Sequence, residues 1–326
     1  MKSFQTSARG LAILFLLAFV FSAAVKGQTP SSTPTMMVTQ TKRELPLAMG
    51  NNLLCAGYIQ SSPVNTNFEI VGSSDELEQN IFSEGDYVYV RRGYSNVQVG
   101  DVFSVIRPRG KVSSRWSRKR NLGIYVQEVG TVEVVRVQGE VFVARVKMSC
   151  DNLLMGDLLQ PLPERVSPMF EQRPALDIFA EPSGKTTGRI VLARDSRETL
   201  SAEQIVYIDL GREDNVRVGD YFTIFRPLGK GGVLNSSQKE SVSARDEGYQ
   251  SRAYRGGKFS NQAPRKSGEN AEGPIVSTND ARSRRPKGLR RVVGELVILD
   301  VRERTATALI TRNAQEIHTG DSVELQ

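Results

Sequence analysis

Apolar and polar residues alternate along most of the chain after residue 46, with the period of two that is typical of β-strands. Between Val102 and Arg107, for example, one face carries Val, Ser and Ile while the other carries Phe, Val and Arg. Runs of five to eight residues rich in Val, Ile and Tyr are separated by Gly, Asp and Pro, which form turns. The pattern predicts an all-β fold in which one short helix, Ser73–Phe82, is the exception.

The strand pattern occurs twice. Val88–Lys111 reads VYVRRGYSNVQVGDVFSVIRPRGK, and Val206–Lys230 reads VYIDLGREDNVRVGDYFTIFRPLGK. Further along, Val129–Val137 matches Val293–Val301, and Met155–Gln160 resembles the C-terminal residues. Ordered matches in both halves indicate a duplicated unit, in which five or six strands form a closed or half-closed small barrel.

Four Gly-Asp pairs stand at matching places in the two copies, and we expect them to be structural turns. They are Gly100-Asp101, Gly156-Asp157, Gly219-Asp220 and Gly320-Asp321. They lack the closely spaced oxygen ligands of a calcium loop. A further strand is expected before each copy, in Cys55–Gln60 and Gly188–Arg194, because both segments contain Gly-x-Ile.

These patterns predict two tandem small β-barrel-like modules, residues 47–162 and 187–326, joined by a linker of residues 163–186. Residues 231–291 form a long basic insertion in the second module, rich in Ser and Gly and without periodicity, which predicts disorder. Residues 28–46 are rich in Ser, Thr and Pro and predict a disordered tether.

Residues 1–27 have the pattern of a signal peptide. Lys2 and Arg9 precede the apolar run LAILFLLAFVFSAAV, and small residues follow, so we expect cleavage after Gly27. The alternative is an uncleaved anchor, although the 15-residue run is shorter than the ~20 residues of a membrane span. The protein should therefore be exported to the periplasm or outer cell envelope. There Cys55 and Cys150 could form a disulfide, the alternative being two free buried cysteines.

The basic charge of the chain is confined to two segments. The formal net charge is +7, of which the leader carries +3 and residues 230–291 carry +8, so the remainder is at −4. This distribution, with the export signal, argues against nucleic acid as a partner.

Basic residues cluster where each module would connect its two halves, around a single tryptophan in the first. The candidate anion-binding residues are Arg107, Arg109, Lys111, Arg115, Trp116, Arg118, Lys119, Arg120, Arg284, Arg285, Arg290 and Arg291. Clustered guanidinium groups bind phosphate and carboxylate polymers, so the ligand would be an acidic glycan or lipid surface. The alternative is a solvated loop that the charge keeps soluble.

The chain offers little for catalysis. It has one His and two Cys, and no phosphate-binding loop, dinucleotide-binding glycine pattern or Ser/His/Asp set. We expect no enzyme, no catalytic residue, no metal and no cofactor, and we expect His318 to be a surface turn residue.

The pattern in Val206–Arg226 and Gly294–Leu325 resembles the C-terminal domain of flagellar assembly protein T, and the first copy matches it less closely. The resemblance implies a non-enzymatic part in a cell-envelope protein complex, and it supplies no catalytic residues. The duplication and the insertion depart from that family, so a flagellar role does not follow directly. The alternative function is binding of peptidoglycan, lipopolysaccharide or another acidic glycan. The sequence leaves the oligomeric state open.

Overall fold

A computed structural model of the protein describes residues 45–75, 80–93, 96–228, 249–250, 255–256, 284 and 286–326. Nearly all of the regular structure is β, which confirms the all-β prediction. The strands form one closed six-stranded barrel and a second large sheet, with two two-stranded pairs beside them. In the part of the chain that the structure describes, no helix is long and apolar enough to cross a membrane.

The first module contains one short helix and seven strands. They are α1 (Asn51–Leu54), β1 (Tyr58–Gln60), β2 (Phe68–Ser73), β3 (Tyr87–Arg92), β4 (Val102–Val112), β5 (Gly123–Gln138), β6 (Val141–Ser149) and β7 (Leu158–Pro161). The remaining strands are β8 (Thr187–Ala193), β9 (Thr199–Leu200), β10 (Ile205–Ile208), β11 (Tyr221–Pro227), β12 (Tyr249–Gln250), β13 (Arg255–Gly256), β14 (Arg290–Val301), β15 (Ala306–Asn313), β16 (Ile317–His318) and β17 (Ser322–Leu325), with a 3-10 turn at Arg212–Asp214.

The two modules have the same strand order. In the second, the barrel runs β10-β15-β14-β11-β17-β8. In the first, β3-β6-β5-β4-β7-β2 follow in the same sequence, because β5 pairs with both β4 and β6. Strand β1 pairs with β5 outside this set.

The register of the strands also repeats. Val88 faces Ala144 across β3 and β6, and Val206 faces Ala308 across β10 and β15. The bulge after Val105 recurs after Ile224. Two copies that share order, register and bulges are the same fold unit, so residues can be compared position by position.

A strand is present in each of the two segments predicted to precede the copies, as β1 (Tyr58–Gln60) and β8 (Thr187–Ala193), but the two strands are not equivalent. The counterpart of β8 is β2, because β2 pairs with β3 and β7 as β8 pairs with β10 and β17. The Gly-x-Ile match was a coincidence of short patterns. The predicted helix Ser73–Phe82 is wrong at its described ends, where Ser73 closes β2 and Phe82 bridges to Leu153, while residues 76–79 lie outside the described chain.

Each module has its own apolar core, built from the inward positions of its strands. Phe68, Phe103 and Phe142 fill the first core, with ring centroids 5.2 to 5.9 Å apart. The second core is mostly aliphatic and contains Phe222 and Ile298. Period-two burial therefore accounts for both cores.

A third cluster joins the modules. Outward residues of the second barrel, including Ile205 and Tyr207, pack against Ile59, Leu122 and Tyr125 of the first module. All four residues of β10 are therefore buried, because one face lines the barrel and the other meets the neighbouring module. The Tyr207 hydroxyl, whose pKa is raised well above its ordinary value by burial and by Tyr125, donates to Ala56 O at 2.6 Å.

Further contacts fasten the segments around the modules. Cys55 and Cys150 form a disulfide with Cα atoms 5.9 Å apart. Thr305 and Thr307 of the second module donate to backbone carbonyls of Ile59 and Gly57 at 2.8 and 3.0 Å. The junction is thus held by buried apolar contacts and by hydrogen bonds to the backbone.

The predicted insertion extends too far at its C-terminal end. Arg290 and Arg291 belong to β14, and Leu228 N donates to Leu289 O at 2.9 Å, which extends the hairpin of β11 and β14. Within the rest of residues 231–291, β12 and β13 form a two-residue antiparallel pair. The predicted tether, signal peptide and most of the insertion lie outside the described residues.

Candidate functional site

The Gly-Asp pairs lie in tight turns with a common hydrogen-bond pattern. Gly100 and Gly219 have φ angles of 96° and 90°, which favour glycine. The following carboxylates, Asp101 and Asp220, each accept a bond of 2.8 Å from the backbone N–H three residues earlier. Asp157 and Asp321 accept the same bond from Leu154 and His318. Asp86, after Gly85, does so as well, and this fifth pair was not predicted.

Two of these aspartates bind an arginine that is far away in sequence. Asp157 accepts hydrogen bonds from Nε and Nη2 of Arg107 at 2.7 and 2.8 Å, and Asp321 accepts the same pair from Arg226 at 2.7 Å each. The same Nη2 also donates to a backbone carbonyl in each module, at 2.7 and 2.6 Å. We call these two bidentate pairs the Arg-Asp clamps.

Arg107 was predicted as an anion-binding residue, and the structure instead commits it to the first clamp. Its side chain is 16% exposed and its fork of donors already faces Asp157. The hydrogen bond to Asp157 raises its pKa, and burial opposes that shift in part. An external anion would have to displace a bidentate partner, so Arg107 is a structural residue.

Arg290 is likewise held internally. It binds Glu324, it donates to Ala180 O and Glu181 O at 3.0 and 2.6 Å, and it lies 4.7 Å from the ring centroid of Phe225. Burial alone would raise the pKa of Glu324, but the Arg290 hydrogen bond and backbone donors lower it below its ordinary value. Arg290 is thus engaged inside the fold, and anion binding by this residue stays a prediction.

Lys119 lies at the junction of the modules. Its Nζ is 2.7 Å from Asp214 and 2.5 Å from Glu213, and it donates to Arg304 O at 3.1 Å. Lys119 thus binds three oxygen acceptors of the second module, and these contacts hold the β4–β5 loop of the first module in place. Anion binding by Lys119 stays a prediction.

The remaining predicted residues are mostly exposed. Arg109 is half-exposed, donating to Gln127 at 2.6 Å and lying 3.8 Å from Asp151. Trp116 is partly buried under the guanidinium of Arg115, 4.1 Å from its ring centroid. The other exposed members are Lys111, Arg118, Arg120, Arg284 and Arg291, while Arg285 lies outside the described residues.

No hydrogen bond or ion pair between described residues joins the two predicted clusters. The first cluster occupies residues 107–120 at the end of the β4–β5 hairpin, and the second begins the equivalent strand, β14. We call the exposed part of the first cluster, Lys111 to Arg120 without Lys119, the basic loop. It is the described surface that an anion could reach most easily.

Two buried ion pairs were missed by reading the sequence. Glu128 and Arg165 are 1% and 4% exposed, 2.7 Å apart, and tie the linker to the first module. Glu295 binds Arg312 and Arg173 at 2.9 and 3.1 Å. Although burial of Glu295 favours a higher pKa, hydrogen bonds from Arg312 and Gln326 and the charge of Arg173 lower it. Nothing in the spacing of these residues marks them as partners.

His318 is buried, at 7% exposure, and the prediction of a surface turn residue is wrong. Its Nδ1 accepts a hydrogen bond from Nη2 of Arg226 at 2.6 Å, so the ring is a further partner of the arginine in the second clamp. The ring therefore supports Arg226 and forms no nucleophile–base pair with a described Ser or Cys side chain.

Among the residues with described coordinates, no group of three or more His, Cys, Asp or Glu side chains could hold a metal ion. No protein-family model matches this chain, and no curated protein is similar to it at a significant level.

Proposed function

We propose that this protein is an exported, non-enzymatic component of a bacterial cell envelope that acts as an assembly or binding module. The observation that carries the proposal is the use of charge in the described fold. Several buried carboxylates are paired with arginines, as in the Arg-Asp clamps, while the basic loop stays exposed. A fold whose buried charges stabilise its structure, while other charges stay at the surface, is better suited to binding than to catalysis.

Export accounts for the leader of residues 1–27 and is compatible with the disulfide between Cys55 and Cys150. We place the mature chain in the periplasm or outer envelope. The first module is a second barrel-like unit in this proposal, and the basic charge of residues 230–291 is available to a partner in the envelope. The resemblance to the C-terminal domain of flagellar assembly protein T fits this role.

A second candidate function is binding of an acidic envelope polymer, such as peptidoglycan or lipopolysaccharide. The basic loop favours it, because Arg115 and Arg118 are exposed beside Trp116 and can meet phosphate or carboxylate groups. Binding of this kind needs no second protein, which separates it from assembly within a protein complex.

The two functions can be distinguished with purified components. The protein is incubated with peptidoglycan sacculi or with lipopolysaccharide vesicles and then pelleted. Polymer binding predicts co-sedimentation that falls at least several-fold in Arg115→Glu/Arg118→Glu, while Arg217→Glu, an equally exposed reversal in the second module, keeps it. If none of these surfaces retains the protein, polymer binding is rejected and assembly with a protein partner remains.

A further inference from the structure

The junction between the modules uses two different surfaces. We call the six outward residues of the second barrel that the first module covers the wall of module 2. They are Val191, Ile205, Tyr207, Val297, Leu299 and Leu309. The residues that cover it, chiefly Ile59, Leu122 and Tyr125, form the edge of module 1. Because the two modules are the same fold unit, we compared the wall positions in module 1 and, for module 2, the part of the edge that lies outside β1, a strand without a counterpart in module 2.

Module 1 has its own wall, and it is exposed. The shared register places Val71, Tyr87, Tyr89 and Val135 at the positions of Val191, Ile205, Tyr207 and Leu299. Val71, Tyr87 and Val135 are 44%, 41% and 38% exposed, whereas their counterparts are at most 8% exposed. Three of the six wall positions thus carry a large apolar side chain that is exposed, and Tyr89, at a fourth, is half-buried.

The other two wall positions differ. Glu133 and Arg145 of module 1 stand where module 2 has Val297 and Leu309. Arg145 stands between Tyr87 and Glu133 on the neighbouring strands. An interface on this wall would therefore combine apolar and charged side chains, as interfaces between separately folded molecules do.

Module 2 also has its own edge. Leu289 occupies the position of Tyr125. In module 1, Pro108 pairs with Val126, the residue after Tyr125; in module 2, Pro227 pairs with Arg290, the residue after Leu289. Leu289 and Leu228 are 46% and 49% exposed, and Phe179, on the segment that runs beside β14, is 76% exposed. This edge presents three large apolar side chains to solvent.

We propose that the protein associates head to tail with further copies of itself, the edge of module 2 in one copy docking on the wall of module 1 in the next. The contact would place Leu289 against a wall as Tyr125 is placed within one chain, with Leu228 and Phe179 beside it instead of Ile59 of β1. Such a heterologous contact leaves one wall and one edge free at the ends, so it generates a ring or an open filament. The inference does not depend on the cellular location or on an anionic ligand.

A second copy is the occupant we select because the fold already seats an edge on a wall once. An antiparallel sheet can leave one face to water, but that face then carries mainly polar residues, and the wall of module 1 does not. The chain's own segments 1–44 and 229–283 are the alternative occupants, and the experiment below identifies them.

The test uses residues 28–326, which include every described residue, with the disulfide intact. Sedimentation velocity over rising protein concentration should show species larger than a monomer. Val135→Glu disables the wall and Phe179→Asp disables the edge, so each variant alone should be monomeric. Val99→Glu, at a 67% exposed apolar residue on neither surface, should associate like the unaltered chain. Unchanged thermal midpoints show that the variants fold.

The decisive sample mixes the two disabled variants. A head-to-tail contact predicts a one-to-one heterodimer, because the intact edge of Val135→Glu can dock on the intact wall of Phe179→Asp. A mixture that stays monomeric while the unaltered chain associates overturns the proposal. An unaltered chain that is monomeric at every concentration overturns the proposal too. If deletion of residues 28–44 or 231–283 then allows association, the deleted segment is what covers the wall or the edge in the unaltered chain.

Discussion

Removal of the carboxylate of the second Arg-Asp clamp, by Asp321→Ala, should be strongly destabilising. The Asp321 side chain is fully buried and accepts three hydrogen bonds, two from Arg226 and one from the backbone of His318. Loss of one partner of a buried ion pair costs about 3–5 kcal/mol. Because Arg226 is 27% exposed and can regain some hydration, we expect the lower part of that range, about 3 kcal/mol.

The other Gly-Asp turns supply matched controls. Asp157→Ala, in the first clamp, should cost a similar amount, since Asp157 is 4% exposed and has the same three donors. Asp101→Ala removes the same backbone bond from an exposed turn that has no described arginine partner, so it should cost only about 1 kcal/mol.

Urea unfolding with the disulfide intact measures these costs. Circular dichroism follows the β-structure, and fluorescence follows Trp116, the single tryptophan, beside the module junction. The reasoning is refuted if Asp321→Ala and Asp101→Ala lower the free energy of unfolding by the same amount, because the clamp would then add nothing to the turn.

Three further predictions concern the fold. Cys55→Ser/Cys150→Ser should lower the free energy of unfolding by about 4–5 kcal/mol, since the disulfide closes a 95-residue separation; equal urea midpoints with and without reductant would contradict this. Tyr207→Phe should cost about 1–2 kcal/mol through its lost hydrogen bond, and Tyr89→Phe, at its half-buried counterpart whose hydroxyl has no described hydrogen bond, almost nothing; equal shifts in thermal midpoint would reject the comparison. The fold lowers the pKa of Glu324, so the ionised carboxylate stabilises the folded protein. This contribution to the free energy of unfolding should be complete above the ordinary Glu pKa of about 4.3 and be lost as the pH falls through the lower pKa of the folded state. A Glu324→Gln variant with the same acid unfolding profile would refute this.

Strands were predictable here wherever the apolar period of two was undisturbed. The β3 and β10 segments were recognised because each repeats beside a Gly-Asp turn, and turn chemistry marks where strands stop. By contrast, β1 was aligned with β8 on three residues, a pattern too short to distinguish an added strand from the first strand of the unit.

The junction was harder to predict, although one signal was present. The β10 sequence Ile-Val-Tyr-Ile has no polar position, and a strand without alternation is buried on both faces. Its counterpart, Tyr-Val-Tyr-Val in β3, is equally apolar, yet on its outer face Tyr87 is exposed and Tyr89 is only half-buried. The sequence therefore indicates an apolar outer face in both modules, but only the fold shows which of the two faces packs against the neighbouring module.

The clamps were missed because their partners are 50 and 95 residues apart. The duplication contained the necessary signal, since both Arg107/Arg226 and Asp157/Asp321 are matched between copies. Some of the arginines that were counted as free surface charge are bonded to carboxylates inside the fold. A count of charges cannot show this, because it does not show where the carboxylates lie.

The proposed function rests above all on export of the chain, and export can be measured by thiol trapping in intact cells. Cells are quenched with acid, and free thiols are labelled with a maleimide reagent that increases mass on a gel. The account predicts a chain shortened by its leader, with Cys55 and Cys150 both protected from the label until reductant is added, in the envelope or periplasmic fraction. A full-length chain with two labelled thiols in the cytoplasmic fraction would contradict it.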